Sequence, residues 1–147
     1  AYEILRCLGG LGDVYKRQFR SSDNIVIGAD TVVAIGDKIL GKPKDKHDAF
    51  LMLKSLSGKE HSVFTGVTII KNDKTETFSV QTKVKFFELS DDEINKYIST
   101  KEPFDKAGAY GIQGKGSLLV EKIDGDFFNV VGLPISILAR KLENFYN

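Results

Sequence analysis

The sequence of 147 residues predicts one domain of the mixed α/β class, with an α+β or mixed-sheet arrangement. Two long β-rich stretches, residues 61–70 and 75–87, flank the turn sequence Lys71-Asn72-Asp73-Lys74, which predicts an antiparallel hairpin. Other segments carry apolar residues three and four positions apart, which indicates helices. A purely parallel, doubly wound sheet fits this pattern less well.

The first strands are predicted early in the chain. Residues 25–27 are a short apolar run before Gly28, which is typical of a strand buried on both faces. Residues 31–35 are a second β-branched run. Gly36-Asp37 then supplies a turn, so that Ile39-Leu40 can return as a hairpin partner.

Two helices are predicted in the middle of the chain. Asp45 is suited to cap a helix over residues 46–56, and Ser57-Gly58 is suited to end it. The apolar positions of that helix are Ala49, Met52, Leu53 and Leu56. Ser90 and Glu93 have the spacing of a capping box, which predicts a second helix that runs to about residue 99.

The last third of the chain predicts a loop, a strand and a helix. Residues 102–116 are dense in Gly, Asp and Lys, which favours a loop, and residues 118–123 favour a strand. A turn over residues 124–126 follows, and Gly132-Leu133-Pro134 leads into a C-terminal helix. The apolar stripe of that helix is Ile135, Leu138, Leu142 and Phe145.

The first 18 residues keep neither a helical nor a strand period, which predicts a poorly ordered terminus. Gly9-Gly10-Leu11-Gly12 has no Lys-Ser/Thr after it and no strand before it, so a phosphate-binding loop is not indicated. Cys7, the single cysteine, excludes an internal disulfide framework and has no activating partner nearby.

The charge balance and the hydropathy exclude two classes of partner. Lys and Arg number 21 against 20 Asp and Glu, a net charge of +1, which argues against a broad basic face for nucleic acid. No apolar run approaches the ~18–20 residues of a membrane span, and no secretory leader opens the chain. We therefore expect a cytoplasmic protein that binds neither nucleic acid nor membrane.

Three segments place polar residues where packing does not require them. Asp30 follows a predicted buried strand, at the end of the sheet where α/β proteins bind ligands. Lys42 and Lys44 flank a proline that fixes the backbone. Residues 105–114 combine an acid, a base, small residues and an amide, and such a loop can wrap a ligand.

Each segment also has a purely structural interpretation: a turn cap for Asp30, a solvated basic loop for the lysines, and a glycine-rich surface turn for residues 105–114. Together they suit an anionic, metal-bound ligand such as a nucleotide phosphate chain, because carboxylates hold Mg²⁺ or activate water and lysines neutralise phosphoryl oxygens. His47 and His61 have no carboxylate at metal-ligand spacing and are interpreted as surface or packing residues. The residues alone therefore predict a phosphate-handling site of unresolved class.

At these same residues the sequence resembles the Maf family of nucleoside triphosphate pyrophosphatases. The matching stretches are residues 28–33, 39–43, 56–58, His61 with 65–67, 102–103, 105–114, 125–126 and 129–134. The resemblance implies an elongated mixed sheet flanked by helices, with a cleft between lobes. It also implies a homodimer that hydrolyses dTTP or UTP, or modified pyrimidine nucleotides, to the monophosphate and pyrophosphate with Mg²⁺ or Mn²⁺.

The resemblance also implies roles for single residues. Asp30 falls on the general base, which also helps to hold the metal, and Lys42 falls on a phosphate ligand. Thr31 and Gln113 match positions that select the base, since an amide can both donate to and accept from a pyrimidine edge. Asp105 and Lys106, which begin the segment 105–114, are further candidate substrate-binding residues.

The sequence departs from the family pattern at its start. Members begin with a strand and a Ser-x-Ser-Pro-Arg-Arg loop that binds triphosphate, and residues 1–23 contain no recognisable equivalent. Arg17 and Arg20 do not match the triphosphate-binding arginines of that loop. We therefore expect an atypical segment over residues 1–23, of which 1–18 are foreign to the family through truncation or a misassembled reading frame, and a Maf-like domain over 24–147. The alternative function is an impaired nucleotide-binding or regulatory module.

Overall fold

A single antiparallel sheet organises the part of the chain that the structure, a computed structural model, describes: residues 24–146. Its strands are β1 (Val26–Ile35), β2 (Lys38–Leu40), β3 (Glu60–Lys71), β4 (Lys74–Phe86) and β5 (Val120–Asp124). They lie in the order β2-β1-β3-β4-β5, and every neighbouring pair is antiparallel. The predicted mixed α/β class is confirmed.

Four α-helices accompany the sheet in residues 24–146: α1 (Lys46–Leu56), α2 (Asp91–Ser99), α3 (Phe127–Val131) and α4 (Ile135–Tyr146). Three short 3-10 helices, Glu102–Asp105, Ala107–Ala109 and Gly114–Leu119, lie between α2 and β5. None of the helices in this part of the chain has the length and apolar character that a bilayer crossing requires.

The predicted helix caps are confirmed. The Asp45 carboxylate accepts a hydrogen bond from the Asp48 amide at 2.8 Å, and Gly58 has a φ of +67° beyond the end of α1. Ser90 and Glu93 form both halves of the capping box at α2. The β3–β4 hairpin turns at Asn72, whose φ is +53°.

The predicted strand at residues 25–27 is wrong in two respects. It continues through Gly28 and Asp30 as one strand, because β3 pairs with it at every position from Val26 to Ala34. It is also not buried on both faces, since Ile27 is 42% exposed. The structure shows β2 beside residues 33–35 only, so among residues 24–146 no strand pairs with the outer edge of residues 26–32.

The other corrections concern the C-terminal third. The predicted strand at 118–123 begins at Val120, because residues 114–119 form a 3-10 helix. The loop at 102–116 likewise contains 3-10 turns. Helix α3 lies in a segment for which no helix is predicted, and Ile135 of the predicted apolar stripe is 52% exposed.

The buried side chains form two clusters that β3 connects. The larger joins Val63 of β3 to α1 and α2 through residues such as Leu53 and Ile94. The smaller joins Val67 and Ile69 of β3 to α4. The larger cluster includes Val33, Ala109 and Tyr110, so it also supports the segment where the candidate site lies.

Candidate functional site

All six predicted site residues line one pocket of about 390 Å³. They are Asp30, Thr31, Lys42, Asp105, Lys106 and Gln113. These residues come from β1, the loop after β2, and the turns before β5, so the chain folds distant segments onto one cavity. The apolar wall of this pocket includes Val33, Val63, Val130 and Val131.

Asp30 and Thr31 lie inside β1, which corrects the prediction that Asp30 follows the end of a strand. Their register partners on β3 are Gly66 and Thr65. The Asp30 side chain is exposed, and its Oδ1 accepts a hydrogen bond from the Thr31 amide at 2.9 Å. Both residues reach the pocket at the part of β1 where no other described strand covers the outer edge.

Lys42 is positioned by the residues beside it in the chain, and among residues 24–146 no carboxylate forms a salt bridge with it. Pro43 is buried, and the Gly41 carbonyl accepts a hydrogen bond from the Gly108 amide at 3.0 Å. The ammonium-bearing residue between them is exposed and lines the pocket. The Lys42 segment and the glycine-rich segment 105–114 are therefore tied together at the pocket.

Gly108 lets the glycine-rich segment approach β1. Its φ is +71°, and a Cβ built on it would lie 3.0 Å from three side-chain atoms of Val33. Only glycine meets both conditions without strain. Next to it, the Lys106 ammonium lies 3.2 Å from the Asp105 carboxylate at the pocket.

Glu102 fixes the far end of the same segment, a role that the sequence pattern does not predict. Its carboxylate accepts hydrogen bonds from the amides of Lys115 at 3.1 Å and Gly116 at 3.0 Å, and from the Tyr97 hydroxyl at 3.0 Å. The Tyr97 oxygen in turn accepts from the Gly111 amide at 3.2 Å. Glu102 and Tyr97 thus bracket Gln113 from both sides along the chain.

Protonation of these two groups follows from their surroundings. Desolvation acts to raise the pKa of Glu102, and the hydrogen bonds from Gly116, Lys115 and Tyr97 outweigh it, so that the pKa is lowered. Burial raises the pKa of the Tyr97 hydroxyl. Near neutral pH we therefore expect an ionised Glu102 carboxylate that accepts a hydrogen bond from the neutral Tyr97 hydroxyl. The only sequence signal for it is the Glu102-Pro103 stretch of the family resemblance.

His61 and Tyr110 form the buried support behind the pocket. The His61 Nε2 lies 2.7 Å from the Tyr110 hydroxyl, and both rings meet Phe86 edge to face. Burial lowers the pKa of His61 to about 4, so the imidazole is neutral at pH 7. The interpretation of His61 as a packing residue is confirmed, since it is 3% exposed.

The carboxylates of the pocket fit a metal that is shared with a ligand. Asp30 and Asp105 both line the pocket. Within residues 24–146, no three His, Cys, Asp or Glu side chains are grouped as an all-protein metal site requires. Mg²⁺ usually takes one or two carboxylates and completes its shell with phosphate oxygens and water. The two carboxylates are therefore suited to a hard cation whose other ligands are phosphate oxygens and water.

Several predicted features lie outside the described residues. They are the poorly ordered or foreign segment 1–18, the sequence Gly9-Gly10-Leu11-Gly12, Cys7, Arg17 and Arg20. The predicted boundary at residue 24 stays a prediction.

The chain is similar in sequence to a described family and to several named proteins. The model of the family described as Maf-like protein matches residues 11–145. A dTTP/UTP pyrophosphatase of Bacillus pumilus (strain SAFR-032) is 61% identical over 121 residues, which are 82% of this chain and 64% of that protein. Proteins of the same name from Bacillus anthracis (strain CDC 684 / NRRL 3495) and Bacillus cereus (strain AH187) are each 58% identical over 125 residues. Those residues are 85% of this chain and 65% of each relative, so the chain spans just under two thirds of these proteins.

Proposed function

The chain belongs to the Maf-like protein family, and from that premise we propose that it hydrolyses the α–β phosphoanhydride of dTTP or UTP. The products are the nucleoside monophosphate and pyrophosphate. The observation that carries the proposal is the convergence of two carboxylates, two lysines and the Gln113 amide on one pocket. Relatives named dTTP/UTP pyrophosphatase support the choice of substrate. Modified pyrimidine triphosphates belong to the same proposed substrate class.

Asp30 is the proposed general base. It lines the pocket on a rigid strand, and a carboxylate can take the proton of a water molecule as that water attacks phosphorus. The new bond joins the water oxygen to one phosphorus of the anhydride, and the bond from that phosphorus to the bridging oxygen breaks. The proton passes to Asp30, and the bridging oxygen leaves with the other phosphate group.

The remaining pocket residues have binding roles in this proposal. Lys42 and Lys106 neutralise phosphoryl oxygens, and Thr31 and Gln113 contact the base. Asp30, with Asp105 as a second carboxylate, is suited to hold Mg²⁺ or Mn²⁺. When bound, such a cation supplies charge stabilisation at the phosphates. We further propose that the protein is a homodimer in the cytoplasm.

A second candidate function rests on the cations of the pocket. The described lining contains the two lysines and no arginine. Arginine offers a planar, bidentate fork to phosphate that lysine does not. A chain that lacks such contacts would bind nucleotide without turnover, as an impaired or regulatory nucleotide-binding module.

Pyrophosphate release decides between the two functions. The full chain would be assayed with Mg²⁺ or Mn²⁺ against dTTP, UTP, CTP, GTP and 7-methyl-GTP. Release from dTTP and UTP above the others supports the pyrophosphatase. Nucleotide binding without release from any of them would select the binding module.

Asp30→Asn is the variant that tests the general base. We expect kcat on UTP to fall on the order of 10²- to 10⁴-fold, with nucleotide binding retained, because the amide cannot accept the proton. Asp37→Asn is the matched control, since Asp37 is an exposed aspartate in the β1–β2 turn, outside the pocket lining. Full activity of Asp30→Asn would remove Asp30 from the mechanism.

A further inference from the structure

Beneath the pocket, a chain of hydrogen bonds determines which way one hydroxyl points. The Thr65 side chain is fully buried and does not line the pocket. Its Oγ1 donates to the Asn129 carbonyl at 2.9 Å and lies 2.8 Å from the Thr31 Oγ1. A hydroxyl has one hydrogen, and a carbonyl oxygen can only accept. Because Thr65 gives its hydrogen to Asn129, Thr31 must donate its own hydrogen to Thr65.

The Asn129 carbonyl is fixed, so this direction cannot easily reverse. The Asn129 side chain is fully buried, and its amide nitrogen donates to the Val80 carbonyl at 3.0 Å and to the Thr82 hydroxyl at 3.1 Å. The Thr82 hydroxyl in turn donates to the Asp126 carbonyl at 2.9 Å. Helix α3 is therefore anchored to β3 and β4 by bonds whose directions are set by backbone carbonyls.

We propose that Thr65 is a specificity-positioning residue, which holds the Thr31 hydroxyl as a hydrogen-bond acceptor toward the pocket. With its only hydrogen committed to Thr65, Thr31 can accept from a ligand and cannot donate to it. Uracil and thymine carry a donor at N3, where cytosine carries an acceptor. A fixed acceptor at Thr31 favours the first two bases over the third, and this inference rests on the proposed nucleotide function.

Binding of substrate analogues tests the inference separately from catalysis. The probes are UTP and CTP in which a methylene group replaces the α–β bridging oxygen, so that neither can be hydrolysed at that position. Thr65→Val keeps the shape and removes the hydroxyl, and the matched control Thr65→Ser keeps the hydroxyl. Thermal unfolding of each variant establishes that it is folded before its dissociation constants are measured.

We expect the wild-type chain and Thr65→Ser to bind the UTP analogue more tightly than the CTP analogue. In Thr65→Val the Thr31 hydroxyl can rotate and donate to cytosine N3, so the preference falls about tenfold, the worth of a good hydrogen bond. An unchanged preference in Thr65→Val, or none in the wild type, overturns the inference. Wild-type preference without pyrophosphate release from UTP would instead defeat the proposed hydrolysis and leave the inference standing.

A measurement on the wild-type chain covers the case in which Thr65→Val does not fold. UTP methylated at N3 has lost the donor, whereas UTP methylated at C5 keeps it. We expect the N3-methyl compound to bind at least about tenfold more weakly than UTP, and the C5-methyl compound to bind like UTP. Equal binding of the N3-methyl compound contradicts the acceptor role of Thr31.

Discussion

A neutral imidazole is built into the interior beside the pocket. His61 is 3% exposed, and among residues 24–146 its Nδ1 has no hydrogen-bond partner. Burial lowers its pKa from 6.5 to about 4, while the unfolded chain keeps the ordinary value. Between these values the unfolded state binds a proton that the folded state does not. The stability contributed by neutral His61 is therefore complete above about pH 6.5 and is lost as the pH falls toward 4.

His61→Gln removes this titration. Between pH 7 and pH 4, the wild type is expected to lose about 3 kcal/mol of unfolding free energy relative to the variant. Urea denaturation of both proteins at several pH values measures this difference. Parallel pH dependences would show that His61 protonates equally well in the folded state.

Three glycines differ in the backbone strain and the crowding that an added side chain would meet. Gly108 combines a φ of +71° with contact distances of 3.0 Å to Val33. Gly36 has a φ of +54° and open space, and Gly41 has neither a positive φ nor a neighbour within 4 Å. The three positions thus isolate backbone strain from crowding.

Alanine substitutions measure the two contributions. Gly41→Ala is expected to change the free energy of unfolding by less than about 0.5 kcal/mol, and Gly36→Ala to lower it by about 1 kcal/mol. Gly108→Ala is expected to lower it by about 2–4 kcal/mol, because strain and overpacking add. Chemical denaturation gives all three values. Equal effects at Gly36 and Gly108 would contradict the close approach to Val33.

At the scale of elements, a carboxylate bridges the turns that carry the pocket. Glu102 joins α2, through Tyr97, to the 3-10 helix that begins at Gly114. The positive φ of Gly114 fits this arrangement, since a Cβ there would lie 2.9 Å from the Glu102 carboxylate. The Glu102 side chain therefore fixes the segment that contains Gln113.

Glu102→Gln tests this bridge. The amide group must place an N–H toward one of the donors that Glu102 now accepts from, so we expect a loss of about 1–3 kcal/mol in stability. In the same variant, hydrogen exchange of the Gly116 and Lys115 amides should become faster. Glu143→Gln, an exposed position on α4, is the control. Unchanged exchange in Glu102→Gln would show that the turns hold themselves.

At the scale of the whole molecule, β3 joins the two clusters of buried side chains. One surrounds the pocket, and the other packs α4 through Leu138 and Phe145 against the far half of β3. The C-terminal end of α4 is also tied to the hairpin, because the Lys71 ammonium donates to the Phe145 carbonyl at 2.7 Å. The pocket and the packing of α4 therefore lie in different parts of the sheet.

Leu138→Ala should lower the stability of the protein without weakening the proposed binding of nucleotide. Removal of this 6% exposed side chain is expected to lower the free energy of unfolding by about 2–4 kcal/mol. The dissociation constant for the uridine analogue should stay within about twofold at temperatures where the variant is folded. Ile135→Ala, at an exposed position of the same helix, serves as the control. A weakening of binding that follows the loss of stability would contradict this separation.

Elements that depend on interactions between residues close together in the sequence were predictable. The caps at Asp45 and at Ser90 with Glu93, and the hairpin turn at Asn72, have the predicted partners. Helix α3 was not, because its five residues are too few to establish an apolar period. It is stabilised instead by the contacts of Asn129 with β3 and β4.

Local chemistry and the family resemblance were enough to specify the fold class and to name six of the residues that line the pocket. They could not show that Asp30 lies within a strand, that Glu102 holds the glycine-rich turns, or that Thr65 directs the Thr31 hydroxyl. Those facts depend on contacts between residues up to 64 positions apart, such as Thr65 with Asn129. Side-chain type predicts which hydrogen bonds are possible, but only the packed chain decides which of them form and in which direction.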